Sequence, residues 1–437
     1  MTLTITWKQA SARRMERQFL ANPAPEGTPV ADVVSAMLAT HAQVLSAAEV
    51  SVGVRAAGLT RADVRAGLWA GVPGDGASVP SVKSAASEKP PSLVKTYGPR
   101  GTVHLLAARE LPLWCSALPA IPGGASPFAP DVRVTEEQAR QIVAAIGDAL
   151  DGTCLTIDEL GDAVVARTGP WAGDRVMPAF QDLWPRWRQV MHRAGQSGAL
   201  CFGPNRGRKV TYTRPPHFVP RPPDEALREL VRRYLHAYGP ATPAHFAKWL
   251  AARGGWAGRL FGELAAAGEI EEVGLEGAGS QGVASEGMSS EGVALEGVGS
   301  KGAGSKGAGD GSGVAWVVAG DTAFPTEPPR GVRLLPYFDA YAIAAQPREL
   351  LFPGAAYRRA LAGGQAGNFP VLLVDGVVAG VWHQRRRGRR TTVTVEPLGR
   401  LTARQERELG ERVRRVGEVL EAEAELVIGA VTTGPHA

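Results

Sequence analysis

His41 and Gln43 stand two positions apart on either side of Ala42, and together they could manage a water molecule. A neutral imidazole, with an unperturbed pKa near ~6.5, can accept a proton, and a carboxamide oxygen can orient the water that gives it up. A general base of this kind contributes roughly 100- to 10,000-fold in rate. On spacing alone the blander alternative is the stronger: His41 caps a helix and Gln43 is a solvated polar residue, since His-x-Gln carries almost no specificity. Residues two apart point roughly 200° apart on a helix but to one side of an extended backbone, so joint action requires a non-helical segment or a helix end.

Other charged groups suit a polyanion. Arg100 and His104 can shape a site or contact phosphate, although Arg100 could equally brace its hairpin through a carboxylate. Arg385, Arg386, Arg387, Arg389 and Arg390 surround Gly388. Such a turn neutralises phosphates without reading sequence. A solvated loop is the alternative there. Arg206, Arg208 and Lys209 occupy a second turn and invite the same interpretation. Trp184, Trp187 and Trp249 recur at core spacing, which favours packing over base stacking.

The elements that must position these groups begin with Thr6-Trp-Lys-Gln9, a capping box opening a helix to about Leu20. Val33, Val34, Met37, Leu38 and Leu45 suggest a second helix, interrupted near His41, so the 41–43 segment falls at an element boundary. Leu93 to Tyr97 and Gly101 to Leu106 read as strands meeting at Gly98-Pro99, a wing hairpin. Between them and the second helix, 71–91 reads as an inserted loop. Capping boxes at Thr135 and Thr156 open two further helices, the second stopping at Gly169-Pro170, and a third is expected from Phe180 to Arg193. A hairpin follows through the Arg206 turn. The plan repeats with a helix ending at Gly239-Pro240, another begun by Thr242-Pro243, a third at Leu260 to Leu264, and strands at Glu269 to Val273 and Ala315 to Val318.

The tract 274–313 alternates Gly with small residues and is expected to be disordered. Its Gly302, Gly304 and Gly307 match a dinucleotide-binding pattern, rejected because no strand precedes and no helix follows. Strands at Val371 to Val374 and Val377 to Trp382, joined by Asp375-Gly376, lead to Thr391 to Glu396 and a closing helix from Thr402. The expected fold is α+β: winged-helix units at 1–130, 131–220 and 221–325, then a β-rich module at 326–437.

The 437-residue chain is long enough for roughly three units of ordinary domain size. Of its 48 basic residues most are Arg, whose planar fork suits phosphate. The net charge of +5 and pI near 9.2 permit a DNA partner. Cys115, Cys154 and Cys201 lack metal or disulfide spacing, which suggests free thiols in a reducing cytoplasm. No uninterrupted apolar run is long enough to span a membrane.

Six strings stand in the order found in one family: Ala12-Arg-Arg-Met-Glu-Arg-Gln18, the His41 segment, Arg100-Gly-Thr-Val-His104, Tyr238-Gly-Pro-Ala-Thr242 with Trp249, Leu334-Leu-Pro-Tyr-Phe-Asp339, and Gly376-Val-Val-Ala-Gly-Val-Trp382. Over most of its length the chain resembles the AlkZ-like DNA glycosylases, bacterial winged-helix enzymes that hydrolyse the N-glycosidic bond of alkylated bases. The resemblance implies tandem winged-helix units and a β-rich part in a C shape around duplex DNA, with no metal or organic cofactor. It also implies that the two side chains two apart, usually Gln-x-Gln or Gln-x-Asp, hold the water at the sugar carbon. His41 and Gln43 take those places, and with the resemblance catalysis outweighs capping. The departures are His41 itself and the two inserts. The expected function is a monofunctional glycosylase for bulky or crosslinking N7-alkylpurines in double-stranded DNA, a cytoplasmic monomer serving repair or self-resistance. No lysine for Schiff-base chemistry lies near His41 in sequence. A non-enzymatic winged-helix regulator is the competing expectation.

Overall fold

The computed structural model describes residues 3–70, 90–124, 126, 128–179, 182–276, 313–361 and 363–434. Most of the insert at 71–91 and most of the Gly-rich tract, residues 277–312, lie outside them.

The chain opens with β1 (Thr4–Ile5) and α1 (Trp7–Arg17), whose capping box at Thr6 forms as expected. The helix stops before Leu20 because Phe19 turns left-handed at φ 57°. Helix α2 (Val30–Ala36) and α3 (Leu45–Gly53) are separated by β2 (Thr40–His41), which places the 41–43 segment between a strand and a helix start. After α4 (Arg61–Trp69), β3 (Leu93–Tyr97) and β4 (Val103–Ala107) form an antiparallel hairpin, and β2 adds to β4. Val33, Val34, Met37, Val52, Val64, Leu68 and Leu105 make the core behind this sheet. Helix α5 (Leu111–Ala120) leaves it.

The next stretch holds α6 (Glu136–Ala149), β5 (Leu155–Thr156) and α7 (Ile157–Thr168), both helices capped as expected. Over the described residues 182–190 the helix expected for 180–193 does not form. Pro185 lacks the amide a helix interior needs and its ring would clash within one. Instead β6 (Arg175–Pro178) pairs with β7 (Leu183–Pro185), a short 3-10 turn follows, and α8 spans only Met191–Gln196. Trp184 consequently lies half-exposed beneath the Arg188 guanidinium, whereas Trp187 is buried. The expected basic hairpin is β8 (Cys201–Phe202) with β9 (Thr211–Thr213), and β5 completes the sheet.

Helices α9 (Pro223–Tyr238), α10 (Pro243–Leu250) and α11 (Gly254–Ala266) bury an aromatic cluster of Tyr234, Tyr238, Phe246, Trp249 and Phe261, against which Trp114 of α5 packs. Strand β10 (Ile270–Leu275) runs antiparallel to β11 (Val314–Val318) and parallel to β1. Gly274 and Leu275, expected in the disordered tract, therefore belong to the sheet.

The last part is a five-stranded sheet ordered β12 (Val332–Leu335), β13 (Val371–Val374), β14 (Val377–Arg387), β15 (Arg390–Pro397) and β16 (Glu423–Ile428). Short helices α12 (Ala340–Ala344), α13 (Arg348–Leu351) and α14 (Ala355–Ala360) separate β12 from β13, and α15 (Ala403–Val419) precedes β16. The hairpin turn has φ 50° at Asp375 and 82° at Gly376, the positive pair that its Asp-Gly sequence favours. Strand β16, paired parallel to β15, corrects the expectation of a chain closed by a helix. Trp7, Met15 and Leu20 pack with Leu335, Tyr341 and Val381, so the start of the chain shares a core with its last part.

Candidate active site

His41 and His104 occupy directly opposed positions on β2 and β4, the arrangement that brings cross-strand side chains into contact. Their ring centroids are 5.0 Å apart, edge to face, and on its other side the His41 ring stacks on Phe338 at 4.6 Å and 26°. His41 is 6% exposed. These groups line a small recess together with Leu38, Ala39, Arg100, Tyr238, Trp249, Ala340 and Ile343. Gln43, at the bend between β2 and α3, is exposed to solvent. The strand ends at His41, and Gln43 is not among the residues that line the recess.

Backbone strain concentrates here. Eight described residues other than glycine have positive φ, and Leu38 (54°), Ala39 (80°), Arg100 (60°) and Phe338 (56°) all line this recess. Each such residue costs about 1–3 kcal/mol and persists only where its surroundings over-determine it. The surroundings are on hand. The Tyr238 hydroxyl donates to the Met37 carbonyl at 2.6 Å, the Phe338 amide donates to Gly367 at 2.9 Å, and Arg100 donates to the Trp249 carbonyl at 2.8 Å. Next to Phe338, the fully buried Asp339 carboxylate accepts both terminal nitrogens of Arg55 at 2.8 Å and the Ser51 hydroxyl at 2.6 Å. That pair ties α3, which follows Gln43, to the turn that carries Phe338.

Burial pushes the His41 pKa well below its ordinary value, with His104 and then Arg100 adding to the shift. His104 is pushed down to about 3, first by burial and then by Arg100, against a hydrogen bond to the Thr102 carbonyl. Arg100 is lowered to about 10, by burial and by Arg348. Two uncharged imidazoles therefore face the recess near neutral pH. Among the described residues no group of three or more His, Cys, Asp or Glu side chains is arranged to hold a metal ion.

The sequence expectations at Arg100 and His104 change in detail. His104 is buried and its Nδ1 donates at 2.9 Å to Thr102, so it shapes the recess and does not reach outward to a phosphate. Arg100 has a main-chain carbonyl for partner, not the carboxylate that would brace its hairpin. Arg385, Arg386 and Arg387 end β14, Arg389 follows Gly388, and Arg390 opens β15, all exposed. Arg390 lies 3.4 Å from Glu423. At the other turn Arg206 binds Glu159 at 2.8 Å and Lys209 lies 3.6 Å from Asp158, which leaves Arg208 without a carboxylate partner among the described residues. Sequence reasoning assigned no role to Phe338, Asp339 or Arg55. The only signal was a carboxylate inside the apolar Leu334-Leu-Pro-Tyr-Phe-Asp339 string and an arginine closing an apolar helix.

A family model described as DNA glycosylase AlkZ-like matches residues 74–419, a span that begins after the 41–43 segment. An interstrand DNA cross-link repair glycosylase from Streptomyces sahachiroi is 29% identical over 391 residues, covering 86% of this chain and 87% of that protein. Among solved structures, the DNA glycosylase AlkZ of the same organism superposes with a TM-score of 0.69 at 26% identity, covering 97% of this chain and all of that one.

Proposed function

Given that the chain belongs to the AlkZ-like DNA glycosylase family and so hydrolyses N-glycosyl bonds in DNA, we propose that its substrates are N7-alkylated purines, bulky or crosslinking adducts above all, and that His41 and Gln43 carry the hydrolysis. The observation that carries this reading is an uncharged imidazole held on the wall of a strained recess, two residues from an exposed carboxamide. A purine alkylated at N7 is already cationic, so it leaves without a proton. Catalysis then has to stabilise the oxocarbenium-like sugar and deliver water to it. A protonated His41 would repel both cations, whereas a neutral one presents a lone pair to them. Its lowered pKa makes it a weaker base than a free imidazole, but keeps it ready at any physiological pH. The Gln43 oxygen orients the attacking water and His41 accepts its proton.

The remaining features suit a duplex. The helices followed by hairpins at β3–β4, β8–β9 and β10–β11 are read as tandem winged-helix units arranged in a C shape around DNA, with the protein acting as a monomer. The arginine turn at 385–390 and Arg208 meet phosphates, and Arg100 and His104 shape the recess. Among the described residues no lysine lines that recess, and the proposed reaction is hydrolysis alone. The relative's name, an interstrand cross-link repair glycosylase, supports a crosslinking adduct and a role in repair. The regulator reading has no such support, and a regulator would leave alkylated DNA intact.

Purified protein incubated with duplexes bearing N7-methylguanine or a bulky N7-guanine adduct, then cleaved with alkali at abasic sites, tests the proposal. His41→Ala and Gln43→Ala are each expected to retain duplex binding and lose base release. Release at the parental rate by both variants would end the assignment.

A further inference from the structure

We infer that His104 is a positioning residue for His41: its ring, locked to the main chain and seated on the bare face of Gly98, holds the His41 imidazole against Phe338. The inference rests on His41 being the group that accepts the water's proton. A working imidazole is ordinarily aimed by a hydrogen bond from its second nitrogen to a carbonyl or carboxylate. His41 lacks that device, because its Nδ1 is buried without a hydrogen-bond partner. Two rings take its place, Phe338 stacked on one face and His104 edge-on at the other. Removing either ring frees the His41 side chain to turn about its own bonds.

His104 is itself held in three ways. Strand register sets it opposite His41, its Nδ1–H donates to the Thr102 carbonyl, and Gly98 packs against it. A Cβ at position 98 would stand 2.8 Å from His104 Nδ1 and 2.9 Å from Cγ, closer than van der Waals radii allow. Gly98 has φ −109°, outside the left-handed range that favours glycine. The obstacle is the His104 ring, and a change at position 98 reaches His41 through it. His104 has its Nδ1 committed to the Thr102 carbonyl, so it acts on the reaction through its neighbour.

The test is a double-mutant cycle in the full chain, comparing single-turnover release of N7-methylguanine at saturating enzyme with the Kd for the same duplex. Displacing a reacting group by about an ångström costs on the order of 100-fold, so Gly98→Ala and His104→Ala are each expected to slow release roughly 10- to 100-fold while Kd moves less than about twofold. In the His104→Ala background, adding Gly98→Ala should change the rate less than about twofold, because the group it strikes is gone. His104→Asn, whose amide can replace the donor to Thr102, should fold like the parent and recover part of the rate, which keeps the test alive if His104→Ala melts. The inference is overturned if Gly98→Ala costs as much without His104 as with it. It also falls if both His104 variants run at the parental rate while His41→Ala is dead. Parental release by His41→Ala would instead bring down the reading of His41, and this inference with it.

Discussion

Asp339→Asn is the substitution whose consequences follow most directly from the geometry. The carboxylate takes four donors: both Arg55 terminal nitrogens, the Ser51 hydroxyl and the Tyr341 amide. Neither charged side chain has any solvent exposure. The amide is nearly isosteric, so cavity effects are small, but it leaves the Arg55 guanidinium buried without a counter-charge. It also turns an NH2 toward groups that themselves donate. Breaking a buried pair by removing one partner costs about 3–5 kcal/mol, whereas replacing both partners by apolar groups is often close to neutral. For a chain of this size a change of about 1 kcal/mol moves Tm by roughly 2 °C or less, so a fall of several degrees is expected. Thermal unfolding by circular dichroism would read it, with Arg55→Met/Asp339→Leu expected to recover most of the stability. Base release should stay impaired in the single variant at temperatures where it is folded, because Phe338 sits on the residue before. A change under about 1 kcal/mol, or a double variant as unstable as the single, would refute the reasoning.

Three other outcomes can be checked with the same protein. If proton-free His41 accepts the water's proton as proposed, then with its pKa well below the ordinary 6.5 kcat/KM for N7-methylguanine release should be flat from pH 8 to 6.5 and fall only below that; an acid limb at or above 6.5 would contradict it. His104 and His245 titrate at about 3 when folded and near ~6.5 unfolded, so between these values the unfolded chain binds more protons. Stability is then complete above pH 6.5 and declines as pH falls, by roughly 2 kcal/mol for each histidine at pH 5, which Tm at pH 8 and pH 5 measures. Replacing Arg387 and Arg389 by Gln should weaken duplex binding regardless of sequence and flatten the slope of log K against log salt by about 0.9 for each phosphate no longer neutralised. An unchanged slope would remove that turn from the DNA interface.

Local features were legible from the amino acids because their causes are local. The Thr6, Thr135, Thr156 and Thr402 boxes set helix starts through hydrogen bonds three residues long, and Asp375-Gly376 set a turn through its own backbone freedom. The misses share an origin too. A periodicity drawn through Leu183, Trp187 and Met191 overrode Pro185, and the strand at Glu423–Ile428 showed no clear pattern because it is a short, mostly exposed edge that β15 templates.

By itself the sequence determined that His41 and Gln43 lie at an element boundary, that basic turns stand away from them, and, through its six strings, which enzymes it resembles. Whether His41 is charged, what aims it, and which groups surround it were decided only in three dimensions. The recess is assembled from four stretches remote in sequence, 38–41, 100–104, 238–249 and 338–343. An imidazole's pKa follows from how much water it has shed and which charges stand near it, and both depend on segments that residue order alone does not bring together.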